Sequence, residues 1–377
     1  VEKFAFIIHP ISASKDVARH QKYRYAKYLP EFLVEEIIRR KDPLVASHIT
    51  GIKSTTGVEA EGWFIICPLT PRQLLTLPID FIYKRLIQCG RLAEDLGAKI
   101  LGLGAFTSVV GDGGVTVAKN LDIAVTTGNS YTVATAIEAT IDGARRMEIN
   151  MPLARVAIVG ATGSIGRTCA RILAPTAGSL SLVARDLDRL EAVKDELGPE
   201  LNAKTTCYDS VSAGLDGADV IVTVTSALDV VIHPKDLKPG SVVCDVARPR
   251  DVSVRVAKER DDVLVIEGGV VAVPGDVNFN FNFGFPEKMA YACMSETMML
   301  ALEGQYESFT LGKTVSAEQV NHTTYLAQKH GFHLAGYRSF EKEVTDQKIE
   351  ETLANARRRR QSTRQNSPNI GHSVSLP

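Results

Sequence analysis

Long hydrophobic runs are missing from this 377-residue chain. No stretch of about 18 uninterrupted apolar residues occurs, so no membrane span is expected. The opening residues, VEKFAFIIHPIS, lack a basic segment followed by an apolar run and a cleavage site, so no secretion signal is expected there. Paired cysteines are missing too. Cys67, Cys89, Cys169, Cys207, Cys244 and Cys293 form no C-x-x-C and stand at wide, irregular gaps. Neither a metal site nor a disulfide framework is expected from them. Scattered single cysteines suit a reducing, cytoplasmic setting, and each is by default a small buried hydrophobe. An excess of one charge is absent: 43 Lys+Arg stand against 44 Asp+Glu, which argues against an electrostatic nucleic-acid binder. Aromatics are only 6 %, too few to suggest a carbohydrate- or base-stacking surface. No internal repeat is visible.

What is present is an ordinary globular composition with 29 glycines, many of them clustered. The length suggests roughly two to three domains. Lys3 to Ile8 reads as a strand, and residues 44–67 hold two strand-like runs around a turn. Asp80 to Gly97 has helical spacing, with an acid at its start and glycine at its end. AKILGLGAFTSVVGDGG reads as a buried strand and a glycine-rich turn; Leu121 to Val125 is a further strand, and a helix runs from about Tyr131 to Met147. Beyond residue 150 short apolar strands alternate with helices, the pattern of a parallel sheet covered on both faces. Helices are expected over Glu287 to Glu303 and Ala317 to His330. The expected fold is α/β. It divides into an N-terminal α/β substrate domain (1–148), a Rossmann domain (149–285), a small C-terminal helical region (286–345) and a disordered tail (346–377). The tail has few apolar residues and no periodic face. Its tetra-arginine, Arg357 to Arg360, reads as solvated.

The strongest local motif is RVAIVGATGSIG, an apolar strand, a turn with Gly160, Gly163 and Gly166, and a helix start. A dinucleotide site needs glycine there: the turn is tight, the backbone must approach the pyrophosphate, and free N–H groups at the helix N-terminus receive phosphate oxygens. Ala161, Thr162, Ser164 and Ile165 complete the candidate cradle. The second strand ends in Arg185, a residue suited to a 2′-phosphate, so NADPH is the expected cofactor. Asp186, one place later, leaves room for a ribose hydroxyl instead. Ligands in such sheets sit at the carboxyl edge. Thr225, Ser226, Val246, Gly268 and Gly269 follow later strands and are therefore candidate cofactor contacts.

A nucleophile is sought because no metal is evident. In FPEKMAYACMSETMMLALEG, Cys293 lies about two turns into the expected helix, with Glu296 three residues on and on the same face. A thiolate attacks acyl thioesters readily. Glu296 is a candidate to position or shuttle a proton. Packing among Ala and Met is the competing reading of the cysteine.

Several separated stretches, LGLGAFTSVV, TTGNSYTVA, VAIVGATGSIGR, LVARDLDRLEAVKDELG, EGGVV, MAYACMSETMMLALEG and KHGF, resemble the long-chain acyl-[acyl-carrier-protein] reductases of cyanobacteria. The resemblance runs from about residue 5 to about residue 335. It implies NADPH-dependent reduction of a fatty acyl thioester to an aldehyde, with Cys293 holding the acyl group. Asn129 or Ser130 is then a candidate donor to the carbonyl oxygen, and His9, which matches a family histidine, a candidate acid or base. His330 in KHGF reads as structural. Implied partners are acyl carrier protein and an aldehyde-decarbonylating enzyme. The stretch 270–286 and Tyr131 depart from the family pattern near the expected acyl path.

Two other readings stand beside this one. CDVARPRD and the domain layout also resemble shikimate dehydrogenases and glutamyl-tRNA reductases, which would not use Cys293. A non-catalytic NADP(H)-binding sensor would keep the fold alone. An acidic carrier would need a local basic patch, for which Lys15, Arg19, Lys22, Arg24, Lys27, Arg39, Arg40 and Lys41 are candidates.

Overall fold

The computed structural model describes residues 1–18, 21–247, 249–282, 286–340 and 342–365. The strands used below are β1 (Glu2–Ile8), β2 (Leu44–Lys53), β3 (Glu59–Ile66), β4 (Ile100–Gly102), β5 (Ala124–Thr126), β6 (Arg155–Val159), β7 (Ser179–Val183), β8 (Thr205–Tyr208), β9 (Val220–Thr223), β10 (Val242–Asp245), β11 (Leu264–Glu267), β12 (Val270–Ala272), β13 (Gly275–Asn278), β14 (Met289–Tyr291) and β15 (His333–Leu334). The helices used below are α1 (Glu31–Ile38), α2 (Ile79–Asp95), α3 (Asn129–Arg146), α4 (Ser164–Leu173), α5 (Leu187–Asp195), α6 (Ala292–Glu303), α7 (Ala317–His330) and α8 (Asp346–Gln365).

Two six-stranded sheets organise the chain. The first has the order β13-β2-β3-β1-β4-β5 and the second β11-β10-β9-β6-β7-β8. All pairs in the second are parallel. Counted from β6, that order is 3-2-1-4-5-6, a doubly wound Rossmann arrangement whose crevice opens where β6 meets β9. In the first sheet β3, β1, β4 and β5 run parallel, β2 runs against them beside β3, and β13 pairs antiparallel with β2 at the edge.

Both sheets are covered on both sides, and the strands show why. In β1, Phe4 and Phe6 enter the core shared with α6, while Ala5 and Ile7 enter the one shared with α2. In β6, Val156 and Ile158 face one core and Ala157 and Val159 the other. Alternate side chains point to opposite faces, so a strand sandwiched by helices must be apolar throughout. Helix α3 ties the sheets together: it packs on α6 and α7 on one side and on α4 and β10 on the other. Gly143 lets it lie close to β10 and β11, since a Cβ there would come 2.7 Å from Ile266 and 3.1 Å from Val242. Helix α6 is buried almost all round, as a helix without a polar face must be.

Several expectations change. The helix expected from Glu287 begins at Ala292; Met289–Tyr291 is a strand paired with β12. Cys293 therefore lies in the first turn of its helix. The region 286–345 carries strands as well as helices, and β13, from within 149–285, crosses to the edge of the first sheet beside β2. Residues 346–365, read as disordered, form α8. Its buried stripe is narrow, with only Ile349, Thr352 and Ala356 buried among the described side chains, which is why no periodic face shows in the sequence. Ion pairs supply the rest of the contact. The tetra-arginine is not simply solvated: Arg357 pairs with Glu148, Arg359 with Asp261 at 2.7 Å and Asp262 at 3.3 Å, and Arg360 donates to the Pro239 carbonyl. Residues 366–377 of the expected tail lie outside the described residues.

Candidate active site

The turn after β6 is shaped for a pyrophosphate. Gly160 adopts φ +87°, and a Cβ there would lie 2.7 Å from the Val224 carbonyl oxygen. A Cβ on Gly166 would lie 2.3 Å from the Gly160 oxygen, so α4 can approach the strand only with glycine at that position. Gly163 differs: a Cβ there would meet only the Gly160 oxygen, at 3.4 Å. Its outer side is open where a phosphate would sit, at the N-cap of α4. The cradle fits a dinucleotide: two glycines shape the turn and the third leaves the approach clear. Ala161 is buried, with its N–H on the Val183 carbonyl, whereas Thr162, Ser164 and Ile165 line the rim.

Arg185 is exposed at the end of β7, and among the described residues no carboxylate pairs with it. Asp186, the rival reader of the ribose, instead caps α5 by accepting from the Arg189 N–H at 3.1 Å. A second guanidinium, Arg189, reaches the Thr162 carbonyl at 3.4 Å and brings another cation to the loop. The sequence reading missed it, although its spacing from Asp186 places it on the first turn of a capped helix.

The other strand ends divide into two kinds. Thr225 turns inward: its N–H and hydroxyl both bond the buried Asp251, as does Thr223. Ser226 is exposed and Val246 half-buried at the same edge. Gly268 packs against Cys244 and Val246. Gly269 accepts the Ala292 N–H at 2.7 Å, so the end of the Rossmann sheet touches the start of α6.

Cys293 stands where three chain segments meet. Gly128 lies flat against it: a Cβ on Gly128, which has φ +73°, would come 2.3 Å from the Cys293 Cβ. Gly104 approaches from the other side, 3.6 Å from the sulfur by the same measure. Backbone N–H groups of Cys293, Met294 and Ala105 face the sulfur and favour the thiolate, but burial dominates and Glu296 adds to it, so the thiol is pushed up to about 12. Ala105 has φ +48°, a strained conformation for a residue with a Cβ.

Glu296 is fully buried, and its carboxylate accepts four hydrogen bonds: from Thr126 Oγ1 at 2.5 Å, Thr310 Oγ1 at 2.7 Å, Ser130 Oγ at 2.6 Å and the Tyr131 N–H at 2.9 Å. It thereby ties α6 to β5, to the start of α3 and to the loop after α6. Ser130 is committed to this clamp. Thr126 and Thr310 escaped the sequence reading because a threonine's partner 14 or 170 residues away leaves no local signal.

Asn129 is the first residue of α3 but does not cap it; Gly128 takes the cap position without a side-chain bond. The Asn129 amide instead donates to Ser164 Oγ at 3.3 Å. The cysteine's neighbour is thus joined to the phosphate loop. His9 lies beyond the end of β1, edge-on to Phe106 at 6.0 Å, beside the residue whose N–H faces the sulfur. Its Nδ1 bonds the Pro10 carbonyl, and its Nε2 is buried without a hydrogen-bond partner. Burial holds its pKa below the usual histidine range. His330 is a buried tie, bonding Glu303 at 2.9 Å and Ser54 at 2.8 Å. Among the described residues no group of three or more His, Cys, Asp or Glu is placed to share a metal ion, and no helix is long and apolar enough to cross a membrane.

A profile of the Shikimate / quinate 5-dehydrogenase family matches residues 143–267, the Rossmann sheet. The chain is 32 % identical over 359 residues to aminotransferase PigE of a Serratia species, an overlap of 92 % of this chain and 41 % of PigE. It therefore spans about two fifths of that relative's length. It is 28 % identical over 344 residues to the long-chain acyl-[acyl-carrier-protein] reductase of Synechococcus elongatus, covering 85 % of this chain and 95 % of the relative. The glutamyl-tRNA reductase structure from Methanopyrus kandleri aligns with TM-score 0.30 and 16 % identity over 78 % of this chain and 61 % of that one. The profile match and the strand order agree on the class of fold: a Rossmann unit of the kind that NAD(P)-dependent dehydrogenases and reductases use. The dehydrogenase profile is consistent with NADPH as the cofactor, and Arg185, with no carboxylate partner among the described residues, fits that choice.

Proposed function

We propose that the chain reduces a long-chain fatty acyl thioester, presented by acyl carrier protein or as acyl-CoA, to the fatty aldehyde through an acyl-enzyme on Cys293. One observation carries this reading: a thiol in the first turn of a helix, ringed by backbone N–H groups, one residue from the contact with Gly269 at the Rossmann edge. In this reading residues 1–148 form the substrate side and 149–285 the cofactor side.

The thiol rests protonated, so attack needs a proton acceptor. His9 suits that role, because burial keeps its imidazole neutral and its Nε2 is unpartnered. The Cys293 sulfur bonds the acyl carbon. Negative charge on the carbonyl oxygen falls near the N–H groups of Cys293, Met294 and Ala105. The bond to the carrier sulfur breaks, and that sulfur takes the proton from His9. When bound, NADPH supplies the hydride that reduces the Cys293 thioester. The resulting hemithioacetal alkoxide re-forms a carbonyl as the carbon–sulfur bond breaks, which frees the aldehyde and leaves the Cys293 thiolate to take a proton from solvent. Glu296 acts as a positioning residue, since its oxygens are already engaged, and Asn129 links the cysteine turn to the phosphate loop. An aldehyde-decarbonylating enzyme would be a downstream partner.

The test is incubation of wild type and Cys293→Ala with radiolabelled acyl-[acyl-carrier-protein] in the absence of NADPH. A covalent acyl adduct on wild type alone supports the reading. An adduct on another cysteine moves the site. NADPH binding without adduct or turnover on any thioester would make the chain a dinucleotide-binding sensor.

A further inference from the structure

We propose that the exposed face of residues 23–41 seats the protein on a bilayer surface rich in anionic lipid. This inference is independent of the reaction proposed above. Large exposed apolar side chains concentrate there: Tyr23, Tyr25, Tyr28, Leu29, Phe32, Leu33 and Ile37, with Tyr28 74 %, Phe32 62 % and Ile37 53 % exposed. A contiguous bare apolar surface of this kind marks an interaction site rather than ordinary surface.

The face is built to stay in place. Ala13, Ala26 and Val34 form a small core beneath it. Glu31, at the start of α1, accepts bonds from Ser12, Ala13 and Ser14, and Glu35 is buried against Thr70 and Arg72. The apolar side chains are therefore held outward and are not an unfolded stretch.

Its charge selects the occupant. Every carboxylate of the stretch is engaged within the protein: Glu31 and Glu35 as above, and Glu36 with Arg39 and Arg40. By contrast, no carboxylate among the described residues pairs with Arg24, Lys27 or Lys41. Arg24 lies 4.9 Å over the Tyr25 ring and Lys27 5.0 Å over the Tyr28 ring. Tyrosine beside a cation is interfacial chemistry: the ring sits at headgroup depth and the cation meets phosphate. The chain's net charge of −1 means that attraction to an anionic surface must come from a local cationic patch, which this face supplies.

Co-sedimentation of the full chain with phosphatidylglycerol–phosphatidylcholine vesicles and with pure phosphatidylcholine vesicles tests this. Wild type should pellet with the anionic vesicles, less so at high salt, and the double variant Tyr28→Ser/Phe32→Ser should bind them about tenfold more weakly while keeping its NADPH affinity. Arg24→Glu/Lys27→Glu should weaken anionic binding in the same way. The proposal fails if wild type stays in the supernatant with both vesicles, or if neither variant changes pelleting. It fails equally if light scattering shows a dimer that Tyr28→Ser/Phe32→Ser dissociates, or if the variants impair only turnover of carrier-bound substrate; the face would then be a protein interface.

Discussion

At the residue scale the cysteine is the sharpest case. Its thiol is pushed up to about 12 because burial outweighs the three N–H groups around it. At pH 8 Cys293 should react with iodoacetamide roughly a thousandfold more slowly than a free cysteine thiol, with the rate rising about tenfold per pH unit above that. Peptide mass spectrometry of labelled protein reads this directly. Fast labelling at neutral pH would mean that the resting thiolate is stabilised and needs no base. Glu296→Gln places an amide where four donors converge, and should cost about 1–3 kcal/mol in a denaturant melt while slowing acyl-adduct formation on Cys293. Burial also holds His9 and His330 below the ordinary histidine range. The unfolded chain then binds more protons than the folded one once pH drops through about 6.5, so stability should fall on acidification. Melts at pH 7.5 and pH 5.5 check the sign, and a flat profile would contradict it.

At the element scale, each glycine of the phosphate loop does different work, and the sequence alone cannot separate them. Gly166→Ala should destabilise the fold, because its Cβ would collide with the Gly160 carbonyl. Gly163→Ala should leave the melting temperature unchanged and raise the NADPH Kd about tenfold or more, because only the ligand's space is taken. Calorimetry and thermal melts on the pair distinguish the two. Arg185→Ser should shift coenzyme preference toward NADH, since Arg185 is the proposed 2′-phosphate contact and Asp186 is engaged as a helix cap. The phosphate strand, turn and helix were legible from spacing because every part lies within about 20 residues. The start of α6 was not: the run from Glu287 shows apolar content without a period, and pairing of β14 with β12 decides where strand ends and helix begins.

At the scale of the whole molecule, α8 shows composition misleading. A polar, arginine-rich segment with a narrow apolar stripe looks unfoldable in isolation, yet Glu148, Asp261 and the Pro239 carbonyl stand where its arginines reach. Removing residues 346–377 should uncover the core surface on which Ile349 and Ala356 pack and lower stability by about 2 kcal/mol or more in a denaturant melt, and the smaller loss caused by Arg357→Ala/Arg359→Ala should shrink at high salt. The convergence of the starts of α3, α4 and α6 is likewise a property of the whole: α3 spans both sheets and carries the Gly128–Asn129 turn to the point where cysteine and phosphate loop come together.

The chain by itself determined what is local in nature: the parallel strands, from their unbroken apolar runs; the phosphate loop, from glycine spacing; and the cationic end of β7, from one arginine. Only the tertiary structure decided what each polar group is free to do. Asp186 is taken by a helix cap, Ser130 and Glu296 by each other, Thr225 by Asp251, and Cys293 is left facing three backbone N–H groups. The reason is physical: a strand or turn is set by neighbours in sequence, whereas burial and hydrogen-bond satisfaction also depend on partners brought from elsewhere in the chain, as Ser130 and Glu296 are from 166 residues apart.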